Sequence, residues 1–153
     1  MKLLRKLLFV FTSIFVLLDP ALASDRGSAD EAVAQVKKAA AFIKANGQEK
    51  AFAAFNDPNG GFKDRDLYIV AMDFTGKMLA HGANAKLIGK NLMELRDSEG
   101  KYFVKEYLAF SQTKGSGWVD FKWPNPVSKE IEQKSLYVEK VGDIVVGCGI
   151  YKK

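Results

Sequence analysis

The chain has 153 residues, 48% of them hydrophobic, and a formal net charge of +5, which is the composition of an ordinary globular domain. The basic excess is mild and forms no dense Lys/Arg stripe, so the charge pattern excludes a nucleic-acid-binding protein. The single cysteine, Cys148, excludes an internal disulfide. Its apolar neighbours predict a buried, inert thiol, with a reactive thiol or an intermolecular bridge as the alternatives.

The N-terminus has the pattern of a secretory signal peptide. A basic start is followed by an apolar run over residues 7–18, which is shorter than the roughly 20 residues of a membrane-spanning helix. Small residues at 21–23 then offer an A-x-A cleavage site. We therefore expect residues 1–23 to be removed and a single domain, residues 24–153, to be exported to the periplasm without a membrane span. An uncleaved anchor is the alternative.

Two helices are predicted before the first strand. Ser28 and Glu31 match a capping box, and the apolar residues that follow recur at helical spacing as far as the stop at 46–47. A second, shorter helix carries Phe52 and Phe55. A long helix and a short one should therefore open the domain.

The polar loop after these helices invites comparison with a calcium-binding EF-hand. Asp57, Asn59 and Asp64 offer oxygen donors. However, Gly61 stands where that loop requires a third ligand, and Tyr68 stands where it requires a bidentate Glu. The pattern therefore predicts no metal site, and no other motif indicates a cofactor.

Five strands are predicted in the rest of the chain. Apolar patterns bounded by turn residues place them at 66–73, 78–82, 118–123, 132–141 and 144–151. Between the second and third strands we expect a loop or helical turn over 84–89, a short helix from 92–95 and an amphipathic helix over 102–110. This order favours an α+β fold with one antiparallel five-stranded sheet and helices on one side.

The strand over residues 118–123 is the most informative segment. Its side chains alternate between two faces, with Trp118, Asp120 and Lys122 on one and Val119, Phe121 and Trp123 on the other. Amphipathic aromatic residues beside a cation suit a concave site for a small anionic or polar ligand. A sheet with one solvated face is the alternative interpretation.

Six short motifs follow one another at 66–68, 73–76, 79–82, 88–90, 117–126 and 146–151. Their order resembles that of small single Cache domains, the PAS-like extracytoplasmic sensor modules of bacterial chemoreceptors and sensor kinases. The block from Gly-Trp-Val to Pro-Asn-Pro is the specific one, because Asp-x-x-Gly alone occurs in many hairpins. The resemblance extends over residues 32–153, and thus over nearly the whole predicted domain.

The resemblance implies a long N-terminal helix laid along a five-stranded antiparallel sheet. It also implies a pocket on the other side of the sheet, roofed by the segment between the second and third strands. Tyr102, Phe103 and Tyr107 could form that roof, with the helix core as the alternative. Members of the family bind small organic molecules, often short carboxylates, and signal through flanking transmembrane helices. Because this sequence ends soon after its last strand, we expect a free-standing sensor that conveys its occupancy to a membrane receptor or kinase partner.

The residues expected to contact the ligand are strand residues with amphipathic or charged side chains: Tyr68, His81, Trp118, Lys122, Trp123 and Tyr137. Lys122 is the favoured cation for a carboxylate, unless it pairs with Asp120, in which case His81 and the tyrosines are favoured instead. Because Trp118 and Trp123 lie on opposite faces, at most one of them can line the pocket. A structural role is the alternative for each residue.

Catalysis is not indicated by these residues. The sequence shows no Ser/His/Asp arrangement, no paired carboxylates at a marked turn and no phosphate-binding loop, and it contains one histidine. We therefore expect a small-molecule-binding sensor for a short organic acid or similar metabolite, acting in signal transduction or chemotaxis, and not an enzyme. A ligand-free protein-interaction module of the cell envelope is the alternative.

Overall fold

Residues 26–152 are described by the structure, which is a computed structural model. The predicted signal peptide, residues 1–23, lies outside the described residues, so its removal stays a prediction. No helix within the described range is both long and apolar enough to cross a membrane.

The long N-terminal helix, α1 (Ala29–Asn46), begins at its capping box. The Ser28 hydroxyl accepts a hydrogen bond from the Glu31 amide at 3.3 Å, and the Glu31 carboxylate accepts one from the Ser28 amide at 2.7 Å. Such a cap stabilises a helix by about 1 kcal/mol. The helix ends at Gly47, whose φ of 82° suits a residue without a Cβ, and α2 (Gln48–Asn56) follows directly.

Six antiparallel strands form one sheet. They are β1 (Lys63–Asp64), β2 (Leu67–Asp73), β3 (Met78–His81), β4 (Ser116–Pro124), β5 (Ile131–Val141) and β6 (Ile144–Lys152). The spatial order is β3–β2–β6–β5–β4, and β1 pairs with the start of β2. The α+β fold class and the five predicted strands are confirmed, with ends that differ by about two residues at most. The two-residue β1 is too short to give a periodic pattern.

The sheet separates two hydrophobic layers. On one face, α1 and α2 pack against alternate side chains of β2 and β6, including Ile69 and Val146. On the other face, helix α3 (Phe103–Lys114) packs against β4 and β5 through residues such as Val104 and Leu108. The expectation from element order that helices lie on one side only is therefore wrong, because α3 covers the second face. The two-sided arrangement implied by the Cache resemblance is the one observed.

Cys148 belongs to the layer beneath α1. Its side chain is fully buried, and burial raises the pKa of the thiol to about 12. The thiol is therefore protonated and inert at neutral pH, as its apolar neighbours predict.

The segment between β3 and β4 closes over the second face of the sheet. A 3-10 turn spans Ala85–Leu87, where the sequence predicts a loop or helical turn. Residues 92–95 form a turn instead of the predicted short helix. The Leu92 amide donates to the Gly76 carbonyl at 2.8 Å, so this stretch is bonded to the β2–β3 hairpin and its backbone is drawn away from helical pairing.

Candidate ligand-binding site

A small cavity lies between the second face of the sheet and α3. Its volume is about 30 Å³, enough for only a few non-hydrogen atoms. Its lining is mostly apolar and includes Val70, Leu92, Leu95, Phe103, Tyr107 and Leu136. A wider mouth of about 220 Å³ adjoins the cavity, and Tyr68, His81 and Trp123 line both spaces. The polar side chains therefore lie between the mouth and an apolar interior.

Lys134 on β5 is the charged residue of this cavity. It is only 2% exposed, and its ammonium donates to the hydroxyls of Tyr68 at 2.7 Å and Tyr151 at 3.3 Å. The ammonium also lies 4.0 Å from the centre of the Tyr68 ring. Among residues 26–152, no carboxylate forms an ion pair with Lys134. A buried charge without a counter-charge is costly, so the site is suited to receive an anion.

The local sequence explains how a lysine reaches this position. Lys134 alternates along β5 with Ser135, and it shares its face of the sheet with Leu136. On the neighbouring strand, a Cβ at Gly149 would lie 2.2 Å from Cε of Lys134. The absence of a side chain at Gly149 therefore leaves the space that the aliphatic stem of Lys134 occupies.

The two tyrosines orient the ammonium. Their hydroxyls lie 3.1 Å apart, and the Tyr151 hydroxyl donates to the carbonyl of Pro124 at 2.9 Å. Burial raises the pKa of Tyr151 above its usual range, so the phenol stays protonated. An ammonium has three N–H donors, and the phenols accept two from Lys134. The third is available to a ligand oxygen.

His81 is held in one neutral form. Its Nδ1 accepts hydrogen bonds from the amides of Asn84 at 2.9 Å and Ala83 at 3.3 Å, so the ring proton resides on Nε2. Burial, assisted by the charge of Lys134, lowers the pKa of His81 to about 3. No described residue accepts a hydrogen bond from Nε2 of His81. His81 can therefore donate to a ligand oxygen without carrying a charge.

The structure brings only half of the proposed ligand residues to the cavity. Tyr68, His81 and Trp123 line it, whereas Trp118, Lys122 and Tyr137 lie on the opposite face of the sheet. The ring of Trp118 packs against Tyr137, with centres 5.3 Å apart. Of the candidates for a roof, Phe103 and Tyr107 line the cavity, and Tyr102 lies instead against Arg96.

Lys122 has a partner that the sequence does not reveal. Its ammonium lies 2.7 Å from a carboxylate oxygen of Glu99 and does not pair with Asp120. Asp120 accepts a hydrogen bond from the Ser135 hydroxyl and lies 3.6 Å from the Lys152 ammonium. Both alternatives considered for Lys122 from the sequence, a ligand cation and a partner of Asp120, therefore give way to a pair with Glu99.

Sequence reasoning did not select Lys134 and Tyr151. The signal for Lys134 is weak, because the same face of β5 carries Glu132 and Lys140 as well as Leu136 and Val138. Because β5 pairs on both sides, Lys134 lies inside the sheet, but alternation along β5 does not say whether its face is covered.

Comparison with known proteins identifies the class of domain. The family model described as Single Cache domain 2 matches residues 23–153, and the chain belongs to this family. Single Cache domains are extracytoplasmic sensor domains that bind ligands and are not enzymes. The suspected family and the expectation of a non-catalytic sensor domain are thereby confirmed.

Individual relatives are chemotaxis proteins. The methyl-accepting chemotaxis protein McpP of Pseudomonas putida is 32% identical over 90 residues, which cover 58% of this chain but only 16% of McpP. The solved structure of a methyl-accepting chemotaxis protein from Vibrio parahaemolyticus is 27% identical, with a TM-score of 0.70, over 80% of this chain and 86% of that one. A Cache chemosensory domain whose structure concerns carboxylic acid recognition shares the fold, with a TM-score of 0.65 and 23% identity over 81% and 88% of the two chains.

Proposed function

We propose that this protein is a periplasmic sensor that binds a short monocarboxylate in the cavity beneath α3. The observation that carries this proposal is the buried ammonium of Lys134, which has phenol partners but no carboxylate partner among residues 26–152. A carboxylate would supply the missing negative charge, and a charge-assisted hydrogen bond in a buried site is stronger than a neutral one.

The donors that face the cavity suit one carboxylate group. One oxygen would accept the third N–H of Lys134, and His81 Nε2–H would donate to either oxygen. The remaining lining is mostly apolar and offers no other charged side chain, so a second carboxylate or an ammonium on the ligand would be buried without a counter-charge. The ligand class is therefore a monocarboxylate with a short apolar tail, and the small volume favours a tail of a few carbon atoms.

Similar proteins support this ligand class without identifying the ligand. A Cache chemosensory domain with the same fold recognises carboxylic acids, and McpP is a chemotaxis protein. By analogy, this domain would report its occupancy to chemotaxis or signal transduction through a membrane receptor or a kinase. The sequenced N-terminus of protein recovered from the periplasm should be Ser24, and pull-down from envelope extract should recover such a partner.

Calorimetry with the full chain, purified after expression, tests the ligand class. Propionate should bind, whereas propionamide, which has the same shape without the charge, should not. Replacing Lys134 by methionine should weaken propionate binding by at least about 100-fold, since about 3 kcal/mol is expected for loss of a buried charged partner. The fold should persist, because methionine fills similar space without a charge to bury.

Lys122→Met is the matched control. It removes a lysine from the opposite face of the same sheet and should leave propionate affinity unchanged. Equal binding of propionate and propionamide, or binding that survives Lys134→Met, would contradict the proposal. A folded protein whose melting temperature responds to no small carboxylate would favour the protein-interaction module instead.

A further inference from the structure

The N-terminal lead, which we define as residues 26–28 before α1, is bonded to the start of strand β5 near the mouth of the cavity. Arg26 donates to both carboxylate oxygens of Glu132, at 2.5 and 3.1 Å. The two residues are 106 positions apart in the chain, and the side chain of Glu132 is 11% exposed. A two-pronged contact of this kind fixes orientation as well as distance.

Glu132 in turn holds the mouth loop, which we define as residues 124–130. Its Oε2 accepts a hydrogen bond from the Asn125 side chain at 3.2 Å, and its Oε1 accepts one from the Ser128 hydroxyl at 2.6 Å. Asn125 is buried, and its backbone bonds to Glu130 within the loop. The loop also supplies Pro124, Asn125, Pro126 and Lys129 to the lining of the mouth. Glu132 therefore joins the N-terminal lead to the entrance of the cavity.

The same loop touches the ligand-binding polar groups. The carbonyl of Pro124 accepts the hydrogen bond of the Tyr151 hydroxyl at 2.9 Å, and that hydroxyl also contacts Lys134. Arg26 itself approaches the backbone carbonyl of Tyr151 at 3.5 Å. A shift of the loop would therefore move the acceptor that holds Tyr151, and with it the orientation of the Lys134 ammonium.

Arg26 is anchored from the other side as well. The Arg65 guanidinium donates to the Arg26 carbonyl at 2.9 Å, and the Gly27 amide donates to the buried carboxylate of Asp66 at 2.6 Å. The hydrogen bond that Glu132 accepts from Arg26 lowers the pKa of Glu132 to about 2, so the pair is ionised at neutral pH. The N-terminal lead is thus fixed both to the turn between β1 and β2 and to Glu132 at the start of β5.

We propose that Arg26 and Glu132 are positioning residues of the ligand site, which hold the mouth loop and Tyr151 in the arrangement that binds the ligand. This proposal rests on the proposed function for the identity of the ligand. By linkage, if the ion pair strengthens ligand binding, the bound ligand strengthens the attachment of the N-terminal lead by the same factor. Ligand binding then strengthens the contacts at the start of α1.

A measurement without ligand tests the positioning. The chain has two tryptophans, so protein labelled with 5-fluorotryptophan should give two fluorine NMR resonances. Trp123 adjoins the mouth loop and Trp118 lies on the opposite face. In Arg26→Gln the Trp123 resonance should shift or broaden while the Trp118 resonance stays in place. Two resonances unchanged from the wild type would overturn the proposal, whatever the protein binds.

Propionate affinity provides the second readout. Arg26→Gln and Glu132→Gln should each weaken binding about tenfold or more. The double variant should be no weaker than Glu132→Gln, because that variant has already lost the ion pair that Arg26→Gln removes. Arg26→Lys keeps the charge but loses the two-pronged geometry, so it should restore affinity in part. Lys105→Gln, which removes an exposed pair with Glu94, is the control and should have no effect.

The two failures are distinguishable. If the wild type binds no carboxylate, the proposed ligand class fails and the positioning role is decided by the Trp123 resonance alone. If the wild type binds propionate and the Arg26 and Glu132 variants bind it equally well, or if their effects add in the double variant, the positioning role fails while the proposed function stands.

Discussion

The two faces of the sheet carry the same three types of residue in different surroundings. The face beside α1 has Trp118, Lys122 and Tyr137, and the face beneath α3 has Trp123, Lys134 and Tyr68. The side chain of Lys122 is 37% exposed and pairs with Glu99. Lys134 is 2% exposed, and among the described residues its ammonium donates hydrogen bonds only to phenols. The two faces therefore differ in the helices and loops that pack over them, and not in residue type, and this difference makes one a solvated surface and the other a candidate ligand site.

The cover on each face explains the difference. Helix α1 packs over β6 and, less extensively, over β2 and β5, and it leaves Trp118 of β4 38% exposed. On the other face, α3 packs on β4 and β5, and the segment after β3 closes the remaining side. Bulk water can solvate a lysine on the first face, whereas on the second face the surrounding protein shields the Lys134 ammonium from bulk water.

Replacing the two tryptophans by alanine should give the largest difference in stability between the two faces. Trp123 packs against Phe103, with ring centres 5.3 Å apart, and lines the cavity. Trp123→Ala should lower the free energy of unfolding by about 3 kcal/mol and abolish propionate binding. Trp118→Ala should cost about 1 kcal/mol or less, because much of that ring already contacts solvent. Urea denaturation compares them, and equal losses would contradict the assignment of the faces.

Two neighbouring positions on β6 separate binding from stability. A Cβ at Gly149 would lie 2.2 Å from Lys134, so Gly149→Ala should displace that side chain. We expect a loss of about 2 kcal/mol of stability and at least about tenfold in propionate affinity. Cys148→Ala, on the opposite face of the same strand, should cost stability while leaving affinity unchanged. Calorimetry at a temperature well below melting decides this, and a loss of affinity in both variants would contradict it.

The neutral His81 ring on the cavity face should make the free energy of unfolding depend on pH. Its pKa is about 3 in the folded protein and about 6.5 in an unfolded chain. The stability that the neutral ring contributes is therefore complete above about pH 6.5 and is lost as pH falls toward 3, because only the unfolded state takes up the proton. The slope contributed is at most about 1.4 kcal/mol per pH unit.

His81→Gln removes the only histidine of the chain and isolates this effect. The difference in free energy of unfolding between the wild type and the variant should change between pH 6 and pH 4.5, with the wild type losing more. Urea denaturation at several pH values measures it. Parallel pH profiles would show that the ring is accessible to protons in the folded state.

Much of the fold could be predicted from short-range patterns. The capping box at Ser28 and Glu31, the stop at Gly47 and the alternation along β4 and β5 each follow from local chemistry, and all are observed. The turn at residues 92–95 could not be predicted, because its backbone pairs with a hairpin that precedes it in the chain. Element order alone also gave no reason for helices to cover both faces.

The candidate site was only partly predictable for a related reason. Alternation along the strand separates Trp118 from Trp123 but does not say which face is covered, so Lys122 and Lys134 are equally plausible cations from the sequence. Glu99, which neutralises Lys122, lies in a loop distant in sequence from that strand. Folding determines which residues pair with a charged side chain. The folded structure is therefore needed to show which lysine lacks a counter-charge.

The sequence by itself determined the three α-helices and the five longer strands of residues 26–152, and the resemblance to Cache domains, because these depend on local periodicity, turn residues and motif order. The tertiary structure decided which face of the sheet encloses a cavity, that Gly149 leaves space for Lys134, and that Arg26 meets Glu132 across 106 residues. These features depend on contacts between segments remote in the chain, which local patterns do not encode.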